Sequence, residues 1–186
     1  NFSSALTKEG RIYVAGSLDR GKLGLGKGLK RGYQLNFRPI KHVTASANRP
    51  DLIPAPGFDF IACGVQHMLA IERPSKDGKK RGCCYAWGNN FRSQLGIGNK
   101  VNQYSPIPIE SLKEKLVKVC CGASFSIGLS ATKKVYFWGN FKYFGDKTRY
   151  LRELGSDRRY KDDVEEPTPI AAIENQEFID IVASYK

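Results

Sequence analysis

The sequence predicts an all-β protein made of β-propeller blades, each blade being a sheet of four antiparallel strands. Short runs of β-branched and aromatic residues are bounded by Gly, Pro, Asn and Ser, and these runs recur along the chain in a fixed order. No segment of useful length shows helical periodicity. Because one four-stranded unit cannot bury both of its faces, units must pack side by side, and we expect an incomplete propeller.

The first unit, predicted over residues 1–57, opens with strands at Phe2–Leu6 and Arg11–Gly16. A glycine-rich stretch, residues 21–28, comes next. It superficially resembles a phosphate-binding loop, but it lacks Gly-Lys-Ser/Thr at the required spacing and precedes no helix. We interpret it as a structural corner. Residues 41–57, rich in Pro and Ala, are expected to be an insertion.

The later units are predicted over residues 58–116 and 117–177, with the start of a further unit at 178–186. Each contains a strand, a Gly turn, a second strand, a hairpin and a third strand that ends in Trp-Gly. We expect the Trp to pack against the next unit and the Gly to allow close backbone approach. The residues assigned to this structural motif are Gly64, His67, Trp87, Gly88, Gln94, Leu95, Gly96, Gly122, Trp138 and Gly139.

These motifs resemble the repeats of the regulator of chromosome condensation family. The match is fullest at Gly64-Val65-Gln66-His67, Trp87-Gly88-Asn89-Asn90 and Gln94-Leu95-Gly96. The resemblance extends over residues 1–37, 58–145 and 164–186. It implies a seven-bladed propeller to which this chain contributes about three units, the other blades coming from the same parent chain. The third unit departs from the pattern because it lacks Gly-Gln-Leu-Gly and has a charged insertion at 146–166.

No group of residues predicts catalysis, a metal site or a cofactor. The chain has two histidines and five cysteines, and two pairs of the cysteines are adjacent. Adjacent residues on a strand point to opposite faces, which disfavours shared metal ligation. We expect the cysteines to be free, small buried side chains in a reducing compartment. His67 stands where the third unit has Phe125, which favours a packed side chain with a local hydrogen bond.

The net charge of +12 favours acidic partners. The hairpins between the second and third strands of the units are rich in Lys and Arg and are expected to share one rim of the propeller. Lys-rich turns also serve to keep sheet edges soluble. The residues predicted to bind a partner are Arg73, Lys76, Lys79, Lys80, Arg81, Lys133 and Lys134 in the hairpins, with Lys27, Lys30 and Arg31 in the corner of the first unit.

These features predict a non-enzymatic scaffold or adaptor that binds protein partners with acidic surfaces within a larger assembly. Two alternatives stay open: nucleotide exchange on a small Ras-like GTPase, which the resemblance implies, and contact with chromatin or nucleic acid through the basic rim. The sequence contains no apolar run as long as a membrane span, so no membrane insertion is expected. Cytoplasm, cytoskeleton or cilium, and nucleus all fit a reducing intracellular location.

Overall fold

A computed structural model describes residues 1–29, 32–45, 52–75, 77, 82–140, 142, 163–170, 173 and 175–184. Within these residues the chain is built mainly of β-strands, and a short 3-10 helix spans Asp19–Gly21. The strands are β1 (Phe2–Leu6), β2 (Ile12–Ser17), β3 (Tyr33–Pro39), β4 (His42–Thr44), β5 (Leu52–Pro54), β6 (Phe58–Cys63), β7 (His67–Glu72), β8 (Cys84–Gly88), β9 (Gln103–Pro108), β10 (Leu116–Cys121), β11 (Phe125–Ser130), β12 (Val135–Gly139) and β13 (Val164–Pro169).

The strands form three antiparallel blades, which confirms the predicted all-β fold class. β6-β7-β8-β9 and β10-β11-β12-β13 are four-stranded sheets in sequence order, and β1-β2-β3 is a three-stranded sheet. Phe2 pairs with Gly16 as His67 pairs with Gly88, so β1, β2 and β3 correspond to the second, third and fourth strands of the later blades. We name the sheets the first, second and third blades.

The insertion at residues 41–57 contains a secondary-structure element that sequence analysis missed. β4 and β5 pair as a two-stranded antiparallel sheet, with Val43 opposite Ile53, and β4 packs against β9 of the second blade. Val43 is fully buried. Strands of only three residues, of which β5 ends in a proline, give little periodicity, which is why the sequence pattern did not reveal them.

Adjacent blades are joined by one repeated contact between a tryptophan and a backbone carbonyl. Trp87 of the second blade donates its indole N–H to the carbonyl oxygen of Lys22 at 3.1 Å. Trp138 of the third blade donates in the same way to the carbonyl oxygen of Gln94 at 3.0 Å. Both indoles are fully buried. Each Trp therefore packs on the corner of the preceding unit, and the expectation that it packs on the next unit is wrong in direction.

The corners can lie this close to the indoles because glycine follows the carbonyl by two residues. Gly24 and Gly96 have φ of +67° and +70°, in the left-handed region. A Cβ on Gly24 would lie 2.8 Å from the Trp87 ring nitrogen, and one on Gly96 would lie 2.8 Å from a Trp138 ring carbon. The resemblance of residues 21–28 to a phosphate-binding loop is thus explained by packing.

Apolar side chains fill the space between the blades. One buried cluster joins the first and second blades and includes Ile12, Leu23, Met68 and Trp87. A second cluster joins the second and third blades and includes Leu69, Leu95, Val119 and Trp138. Burying one indole removes about 200 Å² of surface from water, which is worth roughly 5 kcal/mol as an upper estimate. Packing between blades is therefore a major source of stability.

His67 contributes a polar contact to the joint between the second and third blades. Its Nε2 lies 2.9 Å from Ser126 Oγ, and Ser126 donates its own hydroxyl proton to the carbonyl oxygen of Gln94 at 2.8 Å. Because that proton is already used, Nε2 of His67 must carry the hydrogen and Ser126 must accept it. The tautomer leaves Nδ1 unprotonated, and Nδ1 has no hydrogen-bond partner among the described residues. Burial lowers the pKa of His67 to about 4.

Three alanine substitutions in the corner of the first blade separate the cost of packing from the cost of backbone strain. Gly24→Ala places a methyl group against Trp87, and we expect the largest loss of stability, roughly 2 to 4 kcal/mol. Gly26 has φ of +97° but open space around it, so Gly26→Ala is expected to cost only about 1 to 2 kcal/mol of backbone strain. Gly28→Ala meets neither obstacle and is the control. Chemical denaturation of the intact protein measures the series, and equal effects at Gly24 and Gly26 would contradict the packing argument.

The buried neutral His67 predicts acid sensitivity. The unfolded chain takes up a proton at His67 below about pH 6.5, whereas the folded chain resists it down to about pH 4. The free energy of unfolding therefore has its full value above pH 6.5. It falls by roughly 3 kcal/mol as the pH drops from 6.5 to about 4. His67→Phe, which copies the residues at the same position of the other blades, should flatten that dependence. Unfolding free energies measured across this pH range test the prediction, and an unchanged slope in the variant would overturn it.

Candidate protein-binding surface

The connections between the second and third strands of each blade lie along one end of the sheets. Their described residues are 7–11, 73–75, 77, 82–83 and 131–134, and the antiparallel strand order places all three connections at the same end of the blades where they leave the strands. Arg73 links two of them, since its Nη2 donates to the carbonyl oxygen of Lys8 at 3.2 Å. We call this end the hairpin rim.

Two of the predicted partner-binding residues are engaged within the chain. Arg73 forms an ion pair with Asp59 at 2.6 Å between Nε and Oδ1, in addition to its bond to Lys8. Nζ of Lys134 lies 3.6 Å from Oε1 of Glu114. A hydrogen bond from Thr132 and, to a smaller extent, the charge of Lys134 lower the pKa of Glu114. These two basic side chains therefore help to order the rim, and their charge is partly neutralised there.

Lys133 is the predicted residue best placed for a partner. It is exposed at the tip of the β11–β12 hairpin, with φ of +67°. Lys8 and Arg11 are exposed on the first hairpin and add to the same rim. Lys115 joins them, because its carbonyl oxygen accepts a hydrogen bond from the backbone N–H of Ala131 at 2.9 Å. Sequence analysis did not single out Lys115, although linkers between successive units must pass along this end of the sheets.

Lys27 lies away from the hairpin rim. The corner of the first blade connects β2 to β3 at the end of the sheet opposite the β1–β2 hairpin, and Lys27 is exposed within that corner. The structure therefore does not bring it together with Arg73, Lys133 and Lys134. The other predicted residues, Lys76, Lys79, Lys80, Arg81, Lys30 and Arg31, lie outside the described residues.

The described residues hold no set of three or more His, Cys, Asp or Glu side chains that could bind a metal ion. His67 is fully buried in a blade joint, where its role is packing and hydrogen bonding. All five cysteines are free thiols, but the expectation that they are buried holds only in part, because Cys63 and Cys83 are exposed. Burial raises the pKa of the Cys84 thiol far above its ordinary value, which makes it a poor nucleophile. No helix within the described part of the chain is long and apolar enough to cross a membrane.

Sequence comparison finds the same repeat. The model of the regulator of chromosome condensation (RCC1) repeat matches residues 81–129. Over 76% of its length the chain is 31% identical to the Protein RCC2 homolog of Danio rerio, and over 77% it is 30% identical to the RCC1 domain-containing protein RUG3, mitochondrial, of Arabidopsis thaliana. It is also 29% identical, over 80% of its length, to the E3 ubiquitin-protein ligase HERC2 of Homo sapiens. The chain spans 25%, 28% and 3% of these three relatives, respectively.

Solved structures agree on the fold. The chain superimposes along its whole length on Prp20p of Saccharomyces cerevisiae with a TM-score of 0.71 and 19% identity, and it covers 40% of that chain. For human WBSCR16 the TM-score is 0.65 at 19% identity, with 91% of this chain and 37% of that chain covered. The chain belongs to the regulator of chromosome condensation repeat family and forms part of a β-propeller.

Proposed function

We propose that this chain is a non-catalytic scaffold that binds a protein partner through the hairpin rim. The observation that carries the proposal is that three connections lie along one end of the packed blades and that two of them have exposed basic side chains, Lys8, Arg11 and Lys133. Loops held on a rigid frame are suited to recognition because the frame fixes their spacing before the partner arrives. The partner is a protein with an acidic surface.

Charge and geometry support an acidic partner. Lys8, Arg11, Lys115 and Lys133 are exposed at the rim, and the net charge of the whole chain is +12. Exposed charges of one sign speed association with an oppositely charged surface and contribute most at low salt. The related proteins also have protein partners: Prp20p has binding properties to Gsp1p and histones, and another solved structure holds Kap60 bound to yeast RCC1.

Charge reversal at the rim tests the proposal. Lys8→Glu with Lys133→Glu should weaken partner co-purification at least about tenfold, because each exposed charge facing an acidic surface becomes repulsive. Lys79→Glu with Lys80→Glu extends the test to the predicted residues outside the described part of the chain. Quantitative co-purification from cells that express the intact protein is the measurement.

The matched control reverses two charges at the opposite end of the sheets, Lys27→Glu with Arg92→Glu, and should leave the partner bound. Loss of the partner in the control alone would move the binding surface to that end. An unchanged set of co-purifying proteins in both rim variants would refute the rim as the site.

Guanine-nucleotide exchange on a small Ras-like GTPase is a second candidate, favoured by the fold shared with Prp20p and by the binding of Prp20p to Gsp1p. Exchange activity would accelerate the release of a labelled guanine nucleotide from a panel of small GTPases at micromolar protein. We expect no acceleration from a scaffold, and clear acceleration would replace the non-catalytic proposal.

The cysteines support a reducing intracellular compartment as the site of action. All five are free, and exposed thiols such as Cys63 and Cys83 persist most readily where disulfide formation is suppressed.

A further inference from the structure

A basic groove lies on the outer side of the joint between the first and second blades. Its volume is about 540 Å³, within the range that holds small ligands or a short peptide segment. Apolar side chains of Leu25, Leu29 and Pro39 form part of its lining. The polar part of the lining is Arg38, Lys41, His42 and Ser105. We call this cavity the outer groove.

Three elements of the frame bring these residues together. Arg38 and Pro39 belong to β3, the outer strand of the first blade, and Ser105 belongs to β9, the outer strand of the second. The glycine-rich corner closes the gap, with the N–H of Gly26 donating to the carbonyl oxygen of Tyr104 at 2.9 Å. His42 begins β4, which packs against β9. The groove is therefore a product of blade packing and is preformed.

The joint between the second and third blades provides an internal comparison. Gly98 donates there to the carbonyl oxygen of Glu165 at 3.1 Å, as Gly26 does to Tyr104. The N–H of Ile109 bonds to Cys84 as that of Ile40 bonds to Ile12, which aligns the ends of the two outer strands. Strand register then matches each polar lining residue of the outer groove, in the order Arg38, Lys41, His42 and Ser105, with Ile107, Glu110, Ser111 and Glu166.

The fold does not need positive charges at the outer groove. The second joint keeps the same backbone contacts with Glu110 and Glu166 in place of Lys41 and Ser105, so the frame does not require cations at this place. Neither Arg38 nor Lys41 has a carboxylate within 4.0 Å among the residues that the structure describes. Two cations that line one cavity without an acidic partner repel each other modestly and favour an incoming anion.

We propose that the outer groove binds an acidic peptide segment of a protein partner. Arg38 offers a planar fork for an anionic oxygen pair, Lys41 adds a second charge, and the Ser105 hydroxyl is a further donor. An apolar side chain next to the acidic residue fits against Leu25, Leu29 and Pro39. The anionic group is a glutamate or aspartate carboxylate, or the phosphate of a phosphorylated side chain, since both present the same paired oxygens.

The proposal rests on the scaffold function above and adds a binding site separate from the hairpin rim. A fluorescein-labelled peptide in which glutamates flank a leucine is the probe, titrated against the intact protein by fluorescence anisotropy. Arg38→Ala with Lys41→Ala should weaken its binding by about tenfold for each charge-assisted hydrogen bond that the substitutions remove. The same peptide with glutamine for glutamate should bind the unaltered protein as weakly as the glutamate peptide binds the variant. A peptide with phosphoserine in place of glutamate distinguishes the two anions.

A variant of the hairpin rim, Lys8→Ala with Lys133→Ala, tests whether the peptide binds there instead. Arg92→Ala with Lys142→Ala is the matched control, because it removes two exposed positive charges that lie outside both the outer groove and the hairpin rim. Binding of the peptide should be unchanged in this variant. Peptide binding that is abolished in the rim variant and retained in the groove variant would overturn the groove and leave the scaffold function standing. Equal weakening in the groove variant and the rim variant would show that net charge alone attracts the peptide, and it would also overturn the groove as the binding site. The same conclusion would follow if a single-stranded oligonucleotide displaced the labelled peptide at a lower concentration than the unlabelled peptide does.

Circular dichroism of the groove variant, Arg38→Ala with Lys41→Ala, shows whether that variant is folded. Arg38 and Lys41 are exposed and Ile107 holds the place of Arg38 in the second blade, so the variant should fold normally. If Arg38→Ala with Lys41→Ala does not fold, Lys41→Glu supplies the same test, because the residue it introduces already stands at the equivalent position, Glu110, of the next joint.

Discussion

The indole-to-carbonyl contact between blades is the constraint on which the rest of the structure depends. It occurs at both joints between the three blades, at 3.1 Å and 3.0 Å, and each time a glycine with positive φ lies against the tryptophan ring. A buried indole N–H without an acceptor would cost roughly 1 to 3 kcal/mol, so the corner and the tryptophan fix each other's position. Because this contact sets the distance between the blades, it also sets the spacing of the rim hairpins and the width of the outer groove.

The two joints differ in the side chains that pack beside the indole-to-carbonyl contact. Trp138 stands opposite Ser126, which bonds to His67, whereas Trp87 stands opposite Met68, which packs in the same cluster as Phe2. A polar pair and an apolar pair thus fill equivalent positions. The polar pair is tolerated because every proton in it has an acceptor, while the unprotonated Nδ1 of His67 makes that joint the acid-sensitive one.

The sequence predicted the blades well because β8 and β12 both end in Trp-Gly, and because a glycine directly follows both β6 and β10. It did not predict which neighbour the tryptophan contacts, since packing direction depends on the order of blades in space. The pairing of Arg73 with Asp59 was not predicted either, because it depends on the exact register between β6 and β7, which has an irregularity between Phe58 and Phe60. The outer groove could not be found from the sequence either. Arg38 and Ser105 are far apart in the chain and converge only when β3 and β9 flank one joint.

Charge placement follows from the same division between frame and surface. Buried positions in the joints accept polar groups only where they form hydrogen bonds with each other. Lys22, whose carbonyl oxygen accepts the bond from Trp87, shows the cost of burial, because burial lowers the pKa of its side chain. Positions on the outer side of a joint carry no such restriction, which is why one joint has Lys41 where the other has Glu110. A cation pair at such a position adds nothing to blade packing and is screened only partly by salt inside a concave site. The electrostatic free energy of the two cations becomes favourable when an anion occupies the cavity. A binding role therefore explains the placement of Arg38 and Lys41 better than a structural role does.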